Sequence, residues 1–380
     1  MSALASINVD TRPSAQDIAR SIAPTISRRA DEAADTDSFV GKNFELLKSS
    51  GLLEVGVPVD LGGGGASVDD LAAMLRILAQ GCGSTALALA MHTHQVAIPA
   101  WRWTYQNAKP VEPLLRRVAK ERIQLVSSGG SDWIAGSGRA EKVDGGYRIT
   151  ARKIFSSGAP SGDLLMTSAV LENEGEVLHF GISMSSPHVK VLDTWHALGM
   201  RGTGSHDVLI DGHVVPDAGV AARRKAGEWH PLFVITATIA FPLIYAVYLG
   251  VAERAREIAV GLARQKPVNP HLLALAGRMD TELTAARLAH ESMLDAVRLN
   301  APSALTVNQV MIGRQLVARH GIAAVELAME LAGGAGYYRA AGLERRFRDI
   351  QGARYHPMQS GPQAEYAGAL ALGHPVDRIF

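Results

Sequence analysis

The chain has 380 residues, of which 47% are hydrophobic and 20% charged, so it can bury a large core and is expected to divide into two or three domains. This composition excludes a disordered chain. The 38 lysines and arginines nearly balance the 37 aspartates and glutamates, which excludes a strong overall field toward nucleic acid or an anionic membrane and favours a small-molecule partner.

The N-terminal sequence MSALASINVDTRPS contains an early acidic residue and lacks the basic start and apolar core of a secretory signal. Cys82 is the only cysteine, which excludes an intrachain disulfide and a cysteine-rich metal site. Together these features predict a cytoplasmic protein.

Residues 1–122 are predicted to form an N-terminal α-helical domain. Apolar residues recur at three- and four-residue spacing in DSFVGKNFELLKSSGLL and again in DDLAAMLRILAQGCGSTALALAMHTHQ. The glycines at 62–65 break the helical pattern, and Ser67, followed by Asp69 and Asp70, is expected to start the next helix. This glycine run follows no clear strand, so it does not predict a dinucleotide-binding turn.

Residues 123–218 are predicted to form a central β-domain and residues 219–380 a helical bundle. The first block contains short β-type runs such as DLLMTSAVL and HFGISM, whereas the second is alanine-rich and breaks at QKPVNP, NAPSAL and LAGGAGYY. Because strands and helices occupy separate blocks, the pattern predicts an α+β multidomain fold and disfavours a doubly wound sheet.

The uncharged stretch PLFVITATIAFPLIYAVYLGVA, residues 231–252, is long enough to span a bilayer. Pro242 interrupts it, and the following ERAREIAVGLARQ is typical of an amphipathic soluble helix. We therefore expect a buried core helix and not a membrane span.

The order of these blocks and four local motifs together resemble the acyl-CoA dehydrogenase superfamily over essentially the whole chain. The motifs, in chain order, are GLLEVGVPVDLGGGGAS, VSSGGSDWIAGSGRAEKVDGGYRITARKIFSSGA, WHALGMRGTGSHDVLIDGHVVPD and LAGGAGYYRAAGLERRFRDIQGARYHP. The resemblance implies an N-terminal helical domain, a central β-barrel-like domain and a C-terminal four-helix bundle. It also implies a flavin, FAD or FMN, and a homotetramer.

The resemblance assigns the flavin site mainly to the β-domain. Ser127 and Ser128 occupy the place of the family's Thr-Glu segment, while Phe155, Ser156 and Ser157 occupy its Trp-Ile-Thr segment. Ser157 is then expected to hydrogen-bond near the flavin N5, with Phe155 supplying aromatic surface. The alternative is that FSSGA is an ordinary strand end followed by a turn.

The glycine turn after a long helical run is a second candidate contact for the cofactor. Gly333, Gly334 and Gly336 can simply end a helix. In the family, this turn and an arginine let a neighbouring subunit approach the flavin, and Arg264 lies near the position of that arginine. Arg264 on a solvated helix face is the alternative.

Acyl-CoA dehydrogenases use a glutamate to remove the α-proton of the thioester. In the family this base follows an Arg-Asp motif, here Arg348 and Asp349, but the chain has His356 and Pro357 in its place. Some members carry the base at the start of the bundle, where this chain is apolar and offers no acid. A shift of alignment would leave Glu365 as an alternative base.

Two-component flavin-dependent monooxygenases, the dibenzothiophene monooxygenase-like hydroxylases, share this fold and are the branch the chain most resembles. The elements WHALGMRGTGS and RDIQGARYHP carry the resemblance, and a first-domain histidine, His92 or His94, matches theirs. Oxygen chemistry on a reduced flavin needs a dry pocket and hydrogen-bond donors, which His356, His92 and Ser157 can supply. His92 and His94 point to different sides of a helix, so at least one should have only a packing or solvent role.

The sequence thus predicts a flavin-dependent oxidoreductase, and within that class a reduced-flavin-dependent monooxygenase of an apolar or aromatic small molecule. A separate flavin reductase is the expected protein partner, with no nucleic acid, membrane or metal site. The substrate pocket is expected between residues 232–250 and the helix near His92. A divergent acyl-CoA dehydrogenase with bound FAD and a non-catalytic flavin-binding homologue remain alternatives.

Overall fold

The computed structural model describes residues 13–32, 36–128 and 133–380, so the first twelve residues, residues 33–35 and residues 129–132 of the second motif lie outside the description. Helices form the first block and most of the third, and strands form the second. A last strand, Val220–Lys225, pairs with the sheet, so the β-domain extends beyond the boundary predicted at residue 218. The N-terminal helices are α1 (Ala15–Glu32), α2 (Gly41–Ser49), α3 (Val68–Gly81), α4 (Gly83–Gln106) and α5 (Glu112–Glu121).

The strands are β1 (Leu125–Ser127), β2 (Arg139–Val143), β3 (Gly146–Lys153), β4 (Leu164–Leu171), β5 (Glu176–Ser183), β6 (Val189–Val191), β7 (Val208–Pro216) and β8 (Val220–Lys225). The C-terminal helices are α6 (Pro231–Ala263), α7 (Pro270–Arg298), α8 (Ala304–Ala332), α9 (Gly334–Tyr337), α10 (Leu343–Ile350) and α11 (Ser360–Ala371).

Local sequence signals explain where the first-domain helices begin. Ser67 caps α3 as predicted, because its hydroxyl accepts from the Asp70 amide while the Asp70 carboxylate accepts from the Ser67 amide. The extended backbone at Cys82 then separates α3 from α4. The chain therefore turns between two packed helices and directs α4, with its histidines, into the protein.

The strands form one mixed sheet in the order β6-β7-β3-β2-β4-β5-β8, with β1 paired in parallel to β4. Along β3 exposed and buried residues alternate from Tyr147 to Lys153, as expected for a strand with one face toward a core. The parallel register of β1 places Ser127 opposite Met166. The carboxyl ends of β1 and β3 carry the serine segments singled out in the sequence.

Helix α6 is the central element of the C-terminal bundle and packs on α3, α4, α7, α8 and α10. It has the length and mean hydropathy, 2.2, of a candidate membrane span, but 83% of its most apolar window is buried inside the protein. Its surroundings are those of the predicted core helix of a soluble fold.

The loop before β7 joins the β-domain to the bundle. The Met200 amide donates to the buried Asp349 carboxylate at 2.6 Å, and a Cβ added at Gly199 would lie 2.1 Å from the Arg348 carbonyl oxygen. The backbone of the GMRGTGS motif therefore lies directly on α10, and only glycine fits at position 199.

Two glycines of α6 give a matched test of its packing. A Cβ at Gly250 would lie 2.3 Å from the Arg76 carbonyl oxygen of α3, whereas none of the described atoms beyond the local helix lies within 4 Å of a Cβ at Gly261. We expect Gly250→Ala to lower the free energy of unfolding by about 1–3 kcal/mol. Gly261→Ala should raise it by about 0.5–1 kcal/mol. Urea denaturation of both variants measures the difference, and equal shifts of one sign would contradict the close α3–α6 contact.

Candidate active site

The side chain of His356 packs against two tyrosines of α6. Its Nε2 lies 2.7 Å from the hydroxyl of Tyr248, and its ring meets those of Tyr245 and Tyr248 edge to face at 5.9 and 5.4 Å between centroids. Tyr245 donates its own hydroxyl proton to the Ala353 carbonyl at 2.7 Å. The predicted catalytic histidine therefore lies half-buried against the middle of α6.

Burial determines the protonation state of this pair. Burial, and after it the charge of Arg314, lowers the pKa of His356 from 6.5 to about 3. Burial also raises the pKa of Tyr248 well above 10, so the phenol keeps its proton and donates it to Nε2. His356 is then a neutral imidazole with its proton on Nδ1, an atom that has no hydrogen-bond partner among the described residues.

Arg314 of α8 holds the loop that carries His356. The side chain is fully buried and donates to the carbonyls of Met358 at 2.6 Å and His356 at 3.2 Å and to the Tyr245 hydroxyl at 2.7 Å. Its hydrogen-bond partners are neutral oxygen atoms, and a carboxylate is not among them. The guanidinium thus fixes the loop backbone and leaves a positive charge beside the imidazole.

The two histidines of α4 are both buried but differ in their contacts. His92 uses both ring nitrogens on the main chain: Nε2 lies 2.7 Å from the Leu53 carbonyl, and Nδ1 accepts from the Leu125 amide at 3.0 Å. His94 bonds the Ala90 carbonyl through Nδ1 at 2.9 Å, and its Nε2 lies 3.2 Å from the Gln95 amide. His92 therefore fixes the start of β1 against the first domain, and its catalytic role stays a prediction.

His94 is the α4 histidine whose charge reaches His356. A positive charge on His94 would lower the pKa of His356. Burial lowers the pKa of both His92 and His94 from 6.5 to about 4. With Nδ1–H bound to Ala90, Nε2 of His94 is an acceptor, and the side-chain amide of Gln95 lies within hydrogen-bond distance of it.

Ser157 lies at the end of a row of hydroxyl groups. Its Oγ is 2.7 Å from that of Ser205, which is 2.6 Å from the Thr203 hydroxyl, and Thr203 donates to the Met200 carbonyl at 2.9 Å. Ser157, Ser205 and Thr203 are all buried. The sequence predicted Ser157 as a site residue but missed Ser205 and Thr203, although both stand in the GMRGTGS motif.

The neighbouring predicted residues face different surroundings. Phe155 has a φ of +55° and exposes 51% of its surface, and its ring meets Trp195 edge to face at 6.0 Å. Ser156 is fully buried, and its hydroxyl group donates to the Lys153 carbonyl. Ser127 is buried in β1. The hydroxyl group of Ser128 accepts a hydrogen bond from that of Thr167 at 3.1 Å. An exposed aromatic ring beside a hydroxyl group is a surface that fits a flat, apolar ring system with polar edges.

Arg264 and the glycine turn lie together at the far end of the bundle. Lys266 donates to the carbonyls of Leu331 and Ala332, which joins the end of α6 to the end of α8. Arg264, two residues before Lys266, is exposed. Gly333 has a φ of +62° and ends α8, as predicted for a helix terminus. Gly334 opens α9, and a Cβ at the buried Gly336 would lie 2.7 Å from Ala332. Within the described chain no hydrogen bond or ring contact joins this group to Ser157 or His356, so its role toward the cofactor of a neighbouring subunit stays a prediction.

The carboxylates near α6 and α10 already have partners or lie elsewhere. Asp349 accepts the Met200 amide, and burial raises its pKa. Glu253 is paired with Arg76 and Arg287 in a charged cleft of about 370 Å³ on another side of α6. Glu365, the alternative base named above, is exposed on α11. In the described part of the chain, the hydrogen-bond and ring partners of His356 thus do not include a carboxylate.

Comparison with known proteins identifies the family of the chain. Residues 11–116 match the family described as acyl-CoA dehydrogenase, N-terminal domain, and residues 243–360 the one described as acyl-CoA dehydrogenase, C-terminal domain. The amino sugar nitrososynthase DnmZ of Streptomyces peucetius is 29% identical and covers 87% of this chain and 86% of its own length. The dibenzothiophene monooxygenase of Mycolicibacterium goodii is 27% identical over 84% of this chain and 85% of its own.

A solved structure shares the complete fold. FMN-bound TdsC of Paenibacillus sp. A11-2 superposes with a TM-score of 0.82 at 21% identity, covering 96% of this chain and 99% of its own. The two family matches, the order of helical and β blocks and the superposition agree. The chain therefore belongs to the acyl-CoA dehydrogenase superfamily of flavin-dependent oxidoreductases.

Proposed function

We propose that the protein is a reduced-flavin-dependent monooxygenase that acts on an apolar or aromatic small molecule. The observation that carries this proposal is the neutral His356, held by Tyr248, at the position after Arg348 and Asp349 where a dehydrogenase is expected to have its glutamate. A neutral imidazole with a free N–H can stabilise a negatively charged or polar oxygen atom. It lacks the carboxylate that thioester dehydrogenation uses.

The residues that would hold the flavin, FMN or FAD, fit the group. The exposed ring of Phe155 offers an apolar wall, and the Ser157 hydroxyl lies two residues further along the same turn. When bound in its reduced form, the flavin supplies the two electrons needed to activate molecular oxygen, of which one atom enters the substrate and the other leaves as water. The surrounding side chains must exclude bulk water and hold protons in place.

His356 is the group we assign to that second task. Its Nδ1–H can donate to an oxygen atom of a bound molecule, and Tyr248 keeps the proton on that nitrogen by donating to Nε2. On α4 we assign the complementary acceptor to Nε2 of His94, whose partner is the Gln95 side-chain amide, whereas both ring nitrogens of His92 bind the main chain. The apolar surface of α6 would then accommodate the substrate.

The relatives support oxygenation and leave the substrate open. Two of them act, by name, on an amino sugar and on dibenzothiophene, which differ in polarity. A separate flavin reductase is part of the proposal, because a reduced flavin must be delivered by another enzyme. The proposal also includes a homotetrameric assembly and a cytoplasmic location. The balanced charge of this chain and its mostly buried α6 agree with a soluble protein that a reductase can reach.

The spectrum of the purified protein separates the proposal from its main rival. We expect a nearly colourless protein that oxygenates a phenol, sulfur heterocycle or amine only when a flavin reductase, NADH and FMN or FAD are supplied. Mass spectrometry of the product formed under ¹⁸O₂ checks the transfer. A yellow protein whose flavin is bleached anaerobically by an acyl-CoA would establish a dehydrogenase instead, and failure to bind flavin in either redox state would indicate a non-catalytic homologue.

A further inference from the structure

The hydroxyl row from Thr203 to Ser157 has a fixed direction. The Met200 carbonyl can only accept, so the single hydroxyl proton of Thr203 is used there. Ser205, 2.6 Å from Thr203, must then donate to it, and Ser157, 2.7 Å from Ser205, must donate to Ser205. Both distances are normal for O–H···O hydrogen bonds. Ser157 therefore has its own proton turned inward and offers only lone pairs to a further partner.

The backbone holds the three hydroxyl groups in place. Gly204 has a φ of +55°, a left-handed conformation that lets Thr203 and Ser205 turn toward one another. The Gly158 amide donates to the Thr203 carbonyl at 2.8 Å, which fixes the Ser157 turn against the same loop. Because all three hydroxyl groups are buried, a proton without an acceptor would cost about 1–3 kcal/mol.

The two redox states of a flavin differ at the atom that Ser157 is expected to meet. N5 of the oxidised ring carries only a lone pair, whereas N5 of the reduced ring carries a hydrogen and donates. We propose that Thr203 and Ser205 hold Ser157 as a hydrogen-bond acceptor, so that this site selects reduced over oxidised flavin. The inference rests on the proposed function and names the residues that choose the redox state of the cofactor.

Flavin binding by the complete protein tests the inference without turnover. Reduced and oxidised FMN are titrated separately under anaerobic conditions, and the ratio of the two Kd values is the readout. We expect the wild type to bind reduced FMN at least tenfold more tightly. For a two-electron couple, tenfold corresponds to a shift of about 30 mV in the midpoint potential of the bound flavin, which gives a second measurement.

Three variants locate the source of the preference. Thr203→Val keeps the side-chain shape but removes the end of the row, and Ser205→Ala interrupts it, so in both the Ser157 proton is free to turn outward and the Kd ratio should approach one. Thr203→Ser keeps the hydroxyl group and should retain the wild-type ratio.

The outcomes also separate this inference from the proposed function. An unchanged ratio in folded Thr203→Val and Ser205→Ala, tighter binding of oxidised FMN by the wild type, or no binding of either form would overturn the inference. Monooxygenation with an unchanged ratio in both variants would leave the proposed function standing alone. A preference for reduced FMN that both variants abolish, in a protein that oxygenates none of the tested compounds, would leave only the inference.

Discussion

His356→Ala is expected to lower the rate of product formation by about 10²- to 10³-fold while the affinity for reduced flavin stays within a factor of two to three, roughly the effect of losing one well-placed donor. The reason is that Nδ1–H of His356 is the donor that the described structure leaves available beside α6. We expect NADH and oxygen consumption to continue, with hydrogen peroxide released in place of product. Product analysis and a peroxide assay on the same reaction measure both effects.

Two further variants distinguish hydrogen bonding from general disruption. His356→Asn retains a donor near the position of Nδ1 and should recover part of the activity that alanine loses. Tyr248→Phe removes the group that fixes the proton on Nδ1, so about a tenfold loss is expected. Wild-type coupling of oxygen consumption to product in His356→Ala would exclude this histidine from the chemistry.

The arrangement of blocks could be predicted because its signals are local. The capping box at Ser67 and Asp70, the alternation along β3 and the glycine end of α8 each involve residues close in sequence. The buried, uncharged α6 was also predictable, because an interrupting proline and a following amphipathic segment distinguish it from a membrane span. These features follow from periodicity and capping alone.

The candidate site was only partly predictable because its contacts join distant residues. His356 and Ser157 were identified by motif position, but Tyr248 lies 108 residues before His356, in a stretch that the sequence suggested was silent in acid–base chemistry. Its signal was present, since Tyr245 and Tyr248 are three residues apart in an apolar helix and a buried tyrosine hydroxyl normally has a partner.

Arg314 illustrates a limit of sequence patterns. A guanidinium in the middle of α8 would ordinarily be expected at the surface, yet it is fully buried with neutral oxygen partners supplied by the loop at residues 353–358 and by α6. Only the tertiary fold brings those carbonyl groups together. The positive charge that adds to the effect of burial on the pKa of His356 is therefore invisible in local sequence.

The buried histidines should also make the protein sensitive to acid. His92 and His94 expose only 1% and 6% of their surface, and burial lowers the pKa of each from 6.5 to about 4. Between these values the unfolded chain binds protons that the folded chain does not, so stability is fully present above pH 6.5 and is lost as the pH falls toward 4. Each histidine should contribute a loss of about 3 kcal/mol by pH 4, and together they approach the whole stability of an ordinary domain.

Urea denaturation at half-unit steps from pH 7 to pH 4.5 measures this loss as a slope of unfolding free energy against pH. His94→Gln should lower stability at pH 7, because the bond to Ala90 is lost, and should reduce the slope below pH 6 by up to about 1.4 kcal/mol per pH unit, one proton's share. His374→Gln is the matched control, because that side chain is exposed and solvated in both states. A slope that both variants leave unchanged would mean that His94 is already protonated in the folded protein. The proposed chemistry requires that His94 and His356 are both neutral in the folded protein. It therefore depends on the same measurement.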